Sequence, residues 1–221
     1  MVSTVNLGSV SSNHNYYSLE DYFSKGPKGE VLDRYRKRAV FVNEDFIVGL
    51  QQGLEREVDD VAQVIMYKCG KSWAIEDMKN FDQRFSQEFE WSSMRRMNLE
   101  MALETWWWPL QISGWGSWAF DFSHKKQGLV FIDLYNSAVA RSIGQIGKVV
   151  CHFYAGLFAG VFSYLFEKEL SGIEIQCYSM GEDYCRFLIG AEKKVNAADF
   201  WVQEGASAKE ILAKIQETVM D

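Results

Sequence analysis

Proline is nearly absent from this chain, with only Pro27 and Pro109 in 221 residues. Nor is there a Gly-X-Y period, a sustained heptad or a biased tract, which excludes collagen-like, coiled-coil and low-complexity classes. Cysteine is sparse too, and four residues do not make a disulfide scaffold. From Met1 to Lys28 no apolar h-region appears, so no signal peptide is expected. The expected compartment is the cytoplasm or one equally reducing. Basic charge is in deficit at a formal −7, so no nucleic-acid partner is expected. Nucleotide and hydrolase signatures are missing as well. Gly144-Gln145-Ile146-Gly147 lacks the first spacing of a dinucleotide fingerprint, and there is no P-loop, G-x-S-x-G or H-E-x-x-H. What the chain has is apolar matter: 48% hydrophobic residues, 15% aromatics and eight tryptophans. That is enough to offset conformational entropy with a large core.

Read in order, residues 1–42 form a polar, partly ordered lead-in, with a turn-like Ser24–Gly29 and a solvated mixed-charge run from Asp33 to Arg38. Asn43 is placed to cap a helix whose stripe is Phe46, Leu50, Leu54, Val58, Val61 and Ile65, running to Tyr67 and closed by Gly70. A second helical pattern runs from Glu76 to Trp106, and Pro109 ends it. Then the period becomes two: Gly114–Ser123 and Leu129–Tyr135 read as strands joined by the loop 124–128. A long apolar helix begins at Ser137 or Lys148 and reaches Leu170. Gly172–Ser179 and Tyr184–Gly190 are two more strands around Met180-Gly181-Glu182-Asp183, and Ser207–Val219 is a last amphipathic helix. Strand pairs joined by short turns predict an α+β fold with an antiparallel sheet of about four strands packed with helices.

Val149–Phe166 holds eighteen residues without a formal charge and a small-xxx-small pair, Gly156 and Gly160. That is the lower limit for a bilayer span. Cys151, His152, Tyr154, Ser163 and Tyr164 are poor lipid-facing residues, so a buried core helix is the preferred reading.

Cys151, Cys177 and Cys185 lie in the last third of the chain. A hairpin centred on Gly181 sets Cys177 opposite Cys185, and the preceding helix can bring Cys151 to them. Three converging thiolates suit zinc, with His152, Glu174, Glu182 and Asp183 as candidate fourth ligands. Glu174 and Cys177 are three apart, so a regular strand would point them to opposite faces, and only a bulge would unite them. Plain buried thiols satisfy the same spacing.

The stretch from Cys151 to Gly160, followed by Glu174-Ile175-Gln176-Cys177-Tyr178-Ser179-Met180-Gly181-Glu182-Asp183-Tyr184-Cys185-Arg186-Phe187, resembles the 4-vinyl-reductase domain family. The likeness covers residues 43–191, leaving 1–42 as lead-in and 192–221 as a segment with the terminal helix. The family includes proteins linked to bacteriochlorophyll synthesis and sensor portions of aromatic-responsive transcription activators. The resemblance implies a fold like that of TRAPP subunits and a homodimer, or a dimer with a related domain. It also implies zinc held by Cys151, Glu174, Cys177 and Cys185, a bulge at Glu174, and Cys69 left over as a core thiol. Such a closed set is structural, since no position remains for water. An iron–sulfur cluster is the alternative cofactor.

Trp106, Trp107, Trp108, Trp115, Trp118, Phe120 and Phe122 form an aromatic constellation, either plain core with a dimer surface or the wall of a pocket. The resemblance places a ligand cavity near this helix-to-strand region, with Trp106, Trp115, Trp118, Phe131 and Tyr154 as candidate lining. His124 and His152 read as surface or core residues before axial ligands of a tetrapyrrole metal. No hydride carrier site is recognisable, so a binding protein is preferred to an enzyme. No ATPase or DNA-binding unit follows, so the resemblance is to stand-alone members in photosynthetic bacteria, including cyanobacteria. It implies a hydrophobic small molecule, such as a tetrapyrrole or chlorophyll precursor, and a role in pigment supply or photosystem assembly beside a photosynthetic membrane. The rival readings are an iron–sulfur redox accessory or vinyl reductase component, and an assembly factor that works by contact alone.

Overall fold

Glycine and small residues set the central packing of the chain. A computed structural model describes residues 19–90 and 92–218; the lead-in 1–18 and the predicted helix end at Val219 lie outside the described residues. Helix α3 (Val61–Glu88) buries Ala62, Met66, Gly70, Ala74, Met78, Phe81 and Phe85, a stripe repeating at three to four residues. It crosses α6 (His152–Phe166), which is buried along nearly its whole length. The crossing is close because glycines face backbone across it. A Cβ on Gly70 would fall 2.1 Å from the Phe153 carbonyl oxygen, one on Gly156 1.9 Å from that of Tyr67, and one on Gly160 2.6 Å from that of Lys71. Gly70 therefore marks a helix crossing and not a helix end. The small-xxx-small pair of α6 serves the same contact, and no helix among the described residues is long and apolar enough to cross a membrane.

The predicted first helix divides sooner than its periodicity implied. Helix α2 (Glu44–Val58) stops at Asp59, whose φ of 47° breaks the helical path before α3 begins. Its expected core stripe also points the other way. Phe46, Leu50, Val58 and Val61 are exposed, and α2 buries only Val48 and Gln51.

The lead-in also holds more structure than expected. A short α1 (Leu19–Tyr22) precedes a three-stranded antiparallel meander of β1 (Phe23–Lys25), β2 (Val31–Asp33) and β3 (Arg38–Ala39). Strands this short show no alternation to read. The charged run between β2 and β3 is not simply solvated. Arg34 pairs with Glu88 at 2.7 Å and Lys37 with Asp77 at 2.6 Å, so the meander is tied to α3.

Helix α4 (Leu99–Ile112) is capped by the Asn98 side chain, which accepts from the Met101 N–H. Pro109 lies inside its last turn, and the helix runs on to Ile112. The main sheet is four-stranded and antiparallel, in the order β4 (Ser117–Asp121), β5 (Leu129–Tyr135), β7 (Cys185–Gly190), β6 (Ser171–Gln176). The fold is therefore α+β, as the strand pairs required. One face of the sheet carries Trp118, Phe120, Ile132, Leu134 and Phe187 into the α3–α6 core. The other carries Leu129, Phe131, Ile175 and Leu188 against Ala198 of α7 (Glu192–Gln203) and Ile211 and Ile215 of α8 (Ala208–Thr218). Between β5 and α6 lies a short α5 (Ala138–Ile143), followed by an irregular stretch with positive φ at Gly144 and Gly147. The apolar helix thus starts at neither predicted position but at His152.

Candidate metal centre

The irregular stretch 144–151 delivers Cys151 to the mouth of the β6–β7 hairpin. It is held there by two hydrogen bonds, in which the Ile146 and Gly147 N–H groups both donate to the Ser179 carbonyl at 2.8 Å. On β6 the register slips between Glu174 and Gln176: Glu174 opposes Phe187, while Gln176 opposes Arg186. Ile175 is the extra residue, and its side chain joins the opposite face. The slip resolves the parity conflict between Glu174 and Cys177, because one inserted residue returns both side chains to the α6 face.

Cys151, Glu174, Cys177 and Cys185 are all buried, and their ligand atoms lie within 4.8 Å of one another. Cys151 Sγ is 3.8 Å from Cys185 Sγ, which is 3.6 Å from Cys177 Sγ. A tetrahedron with metal–sulfur bonds of about 2.3 Å has edges of about 3.8 Å. The spacing is therefore that of ligands around one ion, and all four cysteines are free thiols. Of the four candidate fourth ligands only Glu174 joins the cluster, while Glu182 and Asp183 are exposed. Glu174 Oε2 accepts from the N–H groups of Val150 at 3.1 Å and Cys151 at 2.7 Å. Its Oε1 is buried with no hydrogen-bond partner. An orphaned carboxylate oxygen among three thiols is costly unless a cation takes it.

The electrostatics agree. Burial pushes the Cys151 thiol and the Glu174 carboxyl well above their ordinary values. Hydrogen bonds from Cys151 and Cys185 hold Cys177 well below the thiol range. Without an ion the cluster cannot ionise throughout, whereas a divalent cation reverses that balance and deprotonates the thiols. Two hydroxyls, unread in the sequence, support the sulfurs. Ser179 Oγ lies 2.9 Å from Cys177 Sγ, and Ser137 Oγ lies 3.2 Å from Cys151 Sγ. Ser137 accepts from the Ala140 N–H, which leaves its own proton for the sulfur. Ser179 is within the sequence block that suggested the site; Ser137 reads only as a helix cap.

The aromatic candidates divide. Trp106, Trp118 and Tyr154 are fully buried, with Trp118 stacked on Trp107 at 4.8 Å and on Phe158 at 5.4 Å. Trp115 is half-buried, parallel to Trp73 at 5.8 Å. Phe131 is on the far face of the sheet against α7 and α8, because its register partners Asp121 and Leu188 point that way. Trp106 and Trp115 line a cleft of about 510 Å³ between the meander, α2, α3 and α4, together with Phe41, Ile47, Trp73 and Phe81. Asp77 in its wall accepts from Trp106 Nε1 at 3.0 Å. The metal cluster adjoins this cleft through two contacts. Tyr154 on α6 donates to the Trp115 carbonyl at 2.7 Å, and Ser137 precedes the lining residue Ala138. His124 hydrogen-bonds Gln127 in the β4–β5 loop, away from the cleft. Cys69, expected in the core, is exposed on α3.

Residues 130–191 match the vinyl-4-reductase domain family, and all four members of the cluster fall inside that span. The chain carries a vinyl-4-reductase domain. Over 54 residues it is 33% identical to the uncharacterized protein MJ0150 of Methanocaldococcus jannaschii, covering 24% of this chain and 31% of that protein. It spans about a third of the length of the curated relatives it matches. Among solved structures, the phenol-responsive sensory domain of the transcription activator PoxR, determined with phenol, aligns over 84% of this chain and 92% of its own. The TM-score is 0.63 at 16% identity, so the shared fold extends well beyond residues 130–191. A trafficking protein particle complex subunit 3 from Naegleria fowleri aligns over 66% of this chain and 93% of its own, at 11% identity and a TM-score of 0.46.

Proposed function

We propose that this protein binds a hydrophobic small molecule and that a zinc ion held by Cys151, Glu174, Cys177 and Cys185 braces the binding region. The observation that carries the reading is the Tyr154–Trp115 hydrogen bond, which joins the helix beginning at the metal cluster to the wall of the 510 Å³ cleft. Volumes of about 300–1,000 Å³ with apolar walls and a few polar groups are what small-molecule sites offer. The role assigned to the ion is structural, since three thiolates and a carboxylate fill a tetrahedron and leave no position for substrate. A mononuclear ion is preferred to an iron–sulfur cluster because all four donors crowd within 4.8 Å, whereas a cluster distributes its cysteines over several irons.

For the ligand, a flat aromatic such as a tetrapyrrole or chlorophyll precursor suits the parallel Trp73 and Trp115 rings, and this places the protein in pigment supply or photosystem assembly at the face of a photosynthetic membrane. That the PoxR sensory domain was solved with phenol supports the small-molecule reading. The same reading includes dimerisation through α2, whose Phe46 and Leu50 are exposed beside Val40, Phe41 and Val42.

The test is metal analysis and visible absorption of protein purified without chelator, followed by titration with protoporphyrin IX read by tryptophan fluorescence. One zinc per chain, absent from Cys177→Ser, with quenching lost in Trp115→Ala, is the expected result. Iron with sulfide and a broad visible band would replace zinc by a redox centre. Porphyrin binding that Trp115→Ala leaves intact would remove the cleft from the proposal.

A further inference from the structure

A second cleft, of about 650 Å³, lies at the opposite end of β5 from Trp115. Its floor is apolar, built from Val130 and Ile189 of the sheet, Phe122 after β4, Phe166 at the end of α6, Leu170, and Leu99 at the start of α4. Phe166 is 41% exposed, and its ring meets Phe162 at 5.7 Å in a column that continues through Phe122 to Phe120. The floor is thus a rigid part of the core that happens to be open to solvent.

Two ammonium groups line this cleft, Lys125 from the β4–β5 loop and Lys168 from the turn after α6. Among the described residues neither has an ion-pair partner. The acids that flank Lys168 in sequence are taken elsewhere: Glu167 pairs with Arg95 at 3.0 Å, and Glu169 pairs with Lys71. Glu100 is the one carboxylate lining the cleft, so the lining keeps a net positive charge. A long apolar floor with unpaired cations at the rim is complementary to one ligand chemistry, an alkyl chain ending in an anion.

We propose that this cleft binds a single-chain anionic amphiphile, the chain lying on Phe122, Val130, Phe166 and Ile189 and the head between Lys125 and Lys168. The site is separate from the Trp115 cleft and does not depend on the metal-braced reading of that cleft. The same chemistry could be presented by a monomeric fatty acid or by a lipid in a bilayer. The cleft opens between strand ends and helix ends and not on a flat face, which favours the monomer.

Calorimetric titration with dodecanoate below its micellar range tests this. Wild type should bind, and Lys125→Glu combined with Lys168→Glu should weaken binding about tenfold or more, in proportion to two lost attractions and two new repulsions. Both lysines are exposed and unpaired, so the fold should survive; Lys126→Glu, outside the lining, should change little. Leu99→Trp should fill the cleft and abolish binding, while Trp115→Ala should leave it intact. Dodecan-1-ol should bind more weakly than dodecanoate, and added salt should narrow that difference. Absence of dodecanoate binding would overturn the proposal, as would equal affinity in the double charge reversal or loss of binding in Trp115→Ala. Binding to phosphatidylglycerol vesicles without binding to monomeric dodecanoate would assign the lysines to a membrane surface and overturn it equally.

Discussion

Asp82 on α3 is buried yet charged, and its partners explain how. It accepts from the Met94 N–H at 2.6 Å, Ser93 at 2.8 Å, Ser86 at 3.1 Å and the Tyr164 hydroxyl at 2.7 Å. One carboxylate thereby ties the turn before α4 and the end of α6 to the middle of the fold. Burial alone would raise its pKa, but the four donors outweigh it and hold the carboxyl below its ordinary value. A depressed folded value means that its contribution is present above the unfolded pKa and is lost as pH falls through the folded one. Asp82→Ala should therefore cost about 3 kcal/mol near neutral pH, since it orphans buried donors as well as losing their bonds. Urea unfolding of wild type and variant near neutral pH and again in strong acid should show that gap shrinking as pH falls. A gap that stays constant would mean that the role of Asp82 is packing and not charge. None of this was legible in the sequence, where Asp82 is one acid in a polar helical run. Phe131 fails in an instructive way. Its even-numbered neighbours Val130 and Ile132 share a face with Trp118 and Phe120, so strand parity already excluded it from their company.

At the scale of elements, strands were easier to read than helices. Leu129–Tyr135 is observed as predicted because a continuous apolar run bounded by Gly128 and Asn136 has few alternatives. The bulge at Glu174 was legible only through the chemistry, because uniting Glu174 with Cys177 required it. Helix limits failed where glycine was read as punctuation. Gly70 is mid-helix since α6 needs its missing side chain, and a single sequence does not distinguish a glycine that stops a helix from one that admits a neighbour. This yields a paired prediction. Gly156→Ala would drive a methyl into the Tyr67 carbonyl, which is fixed within α3, and should cost about 3 kcal/mol or more by forcing the helices apart. Gly53→Ala, on α2 with nothing within 4 Å of its new Cβ, should instead stabilise by about 0.5–1 kcal/mol. Thermal melts of the two variants should move in opposite directions. Equal shifts would mean that the α3–α6 crossing yields where its geometry says it is rigid.

Over the whole molecule, the α+β order of elements was legible, but the layering was not. Helix α7 was missed because its apolar residues are few, and only Val195 and Ala198 are buried. Yet α7 and α8 cover the second face of the sheet and leave the metal cluster on the first. That division predicts how the protein should respond to loss of its ion. The cluster joins the 144–151 stretch to the β6–β7 hairpin, and through Tyr154 it reaches Trp115, whereas α7 and α8 pack on Phe131 and Leu188 without touching it. Chelation should therefore loosen one side first. Amide hydrogen exchange is expected to rise at Ile146, Gly147, Val150 and Cys151, whose N–H groups bond Ser179 and Glu174, while Val195 and Ile211 keep their protection. Tyr154→Phe separates the two links, since it should retain the metal and the protection at Cys151 while losing about 1 kcal/mol and the hold on Trp115. Uniform exchange across both faces after chelation would mean that the ion supports the fold as a whole and not the cleft side in particular.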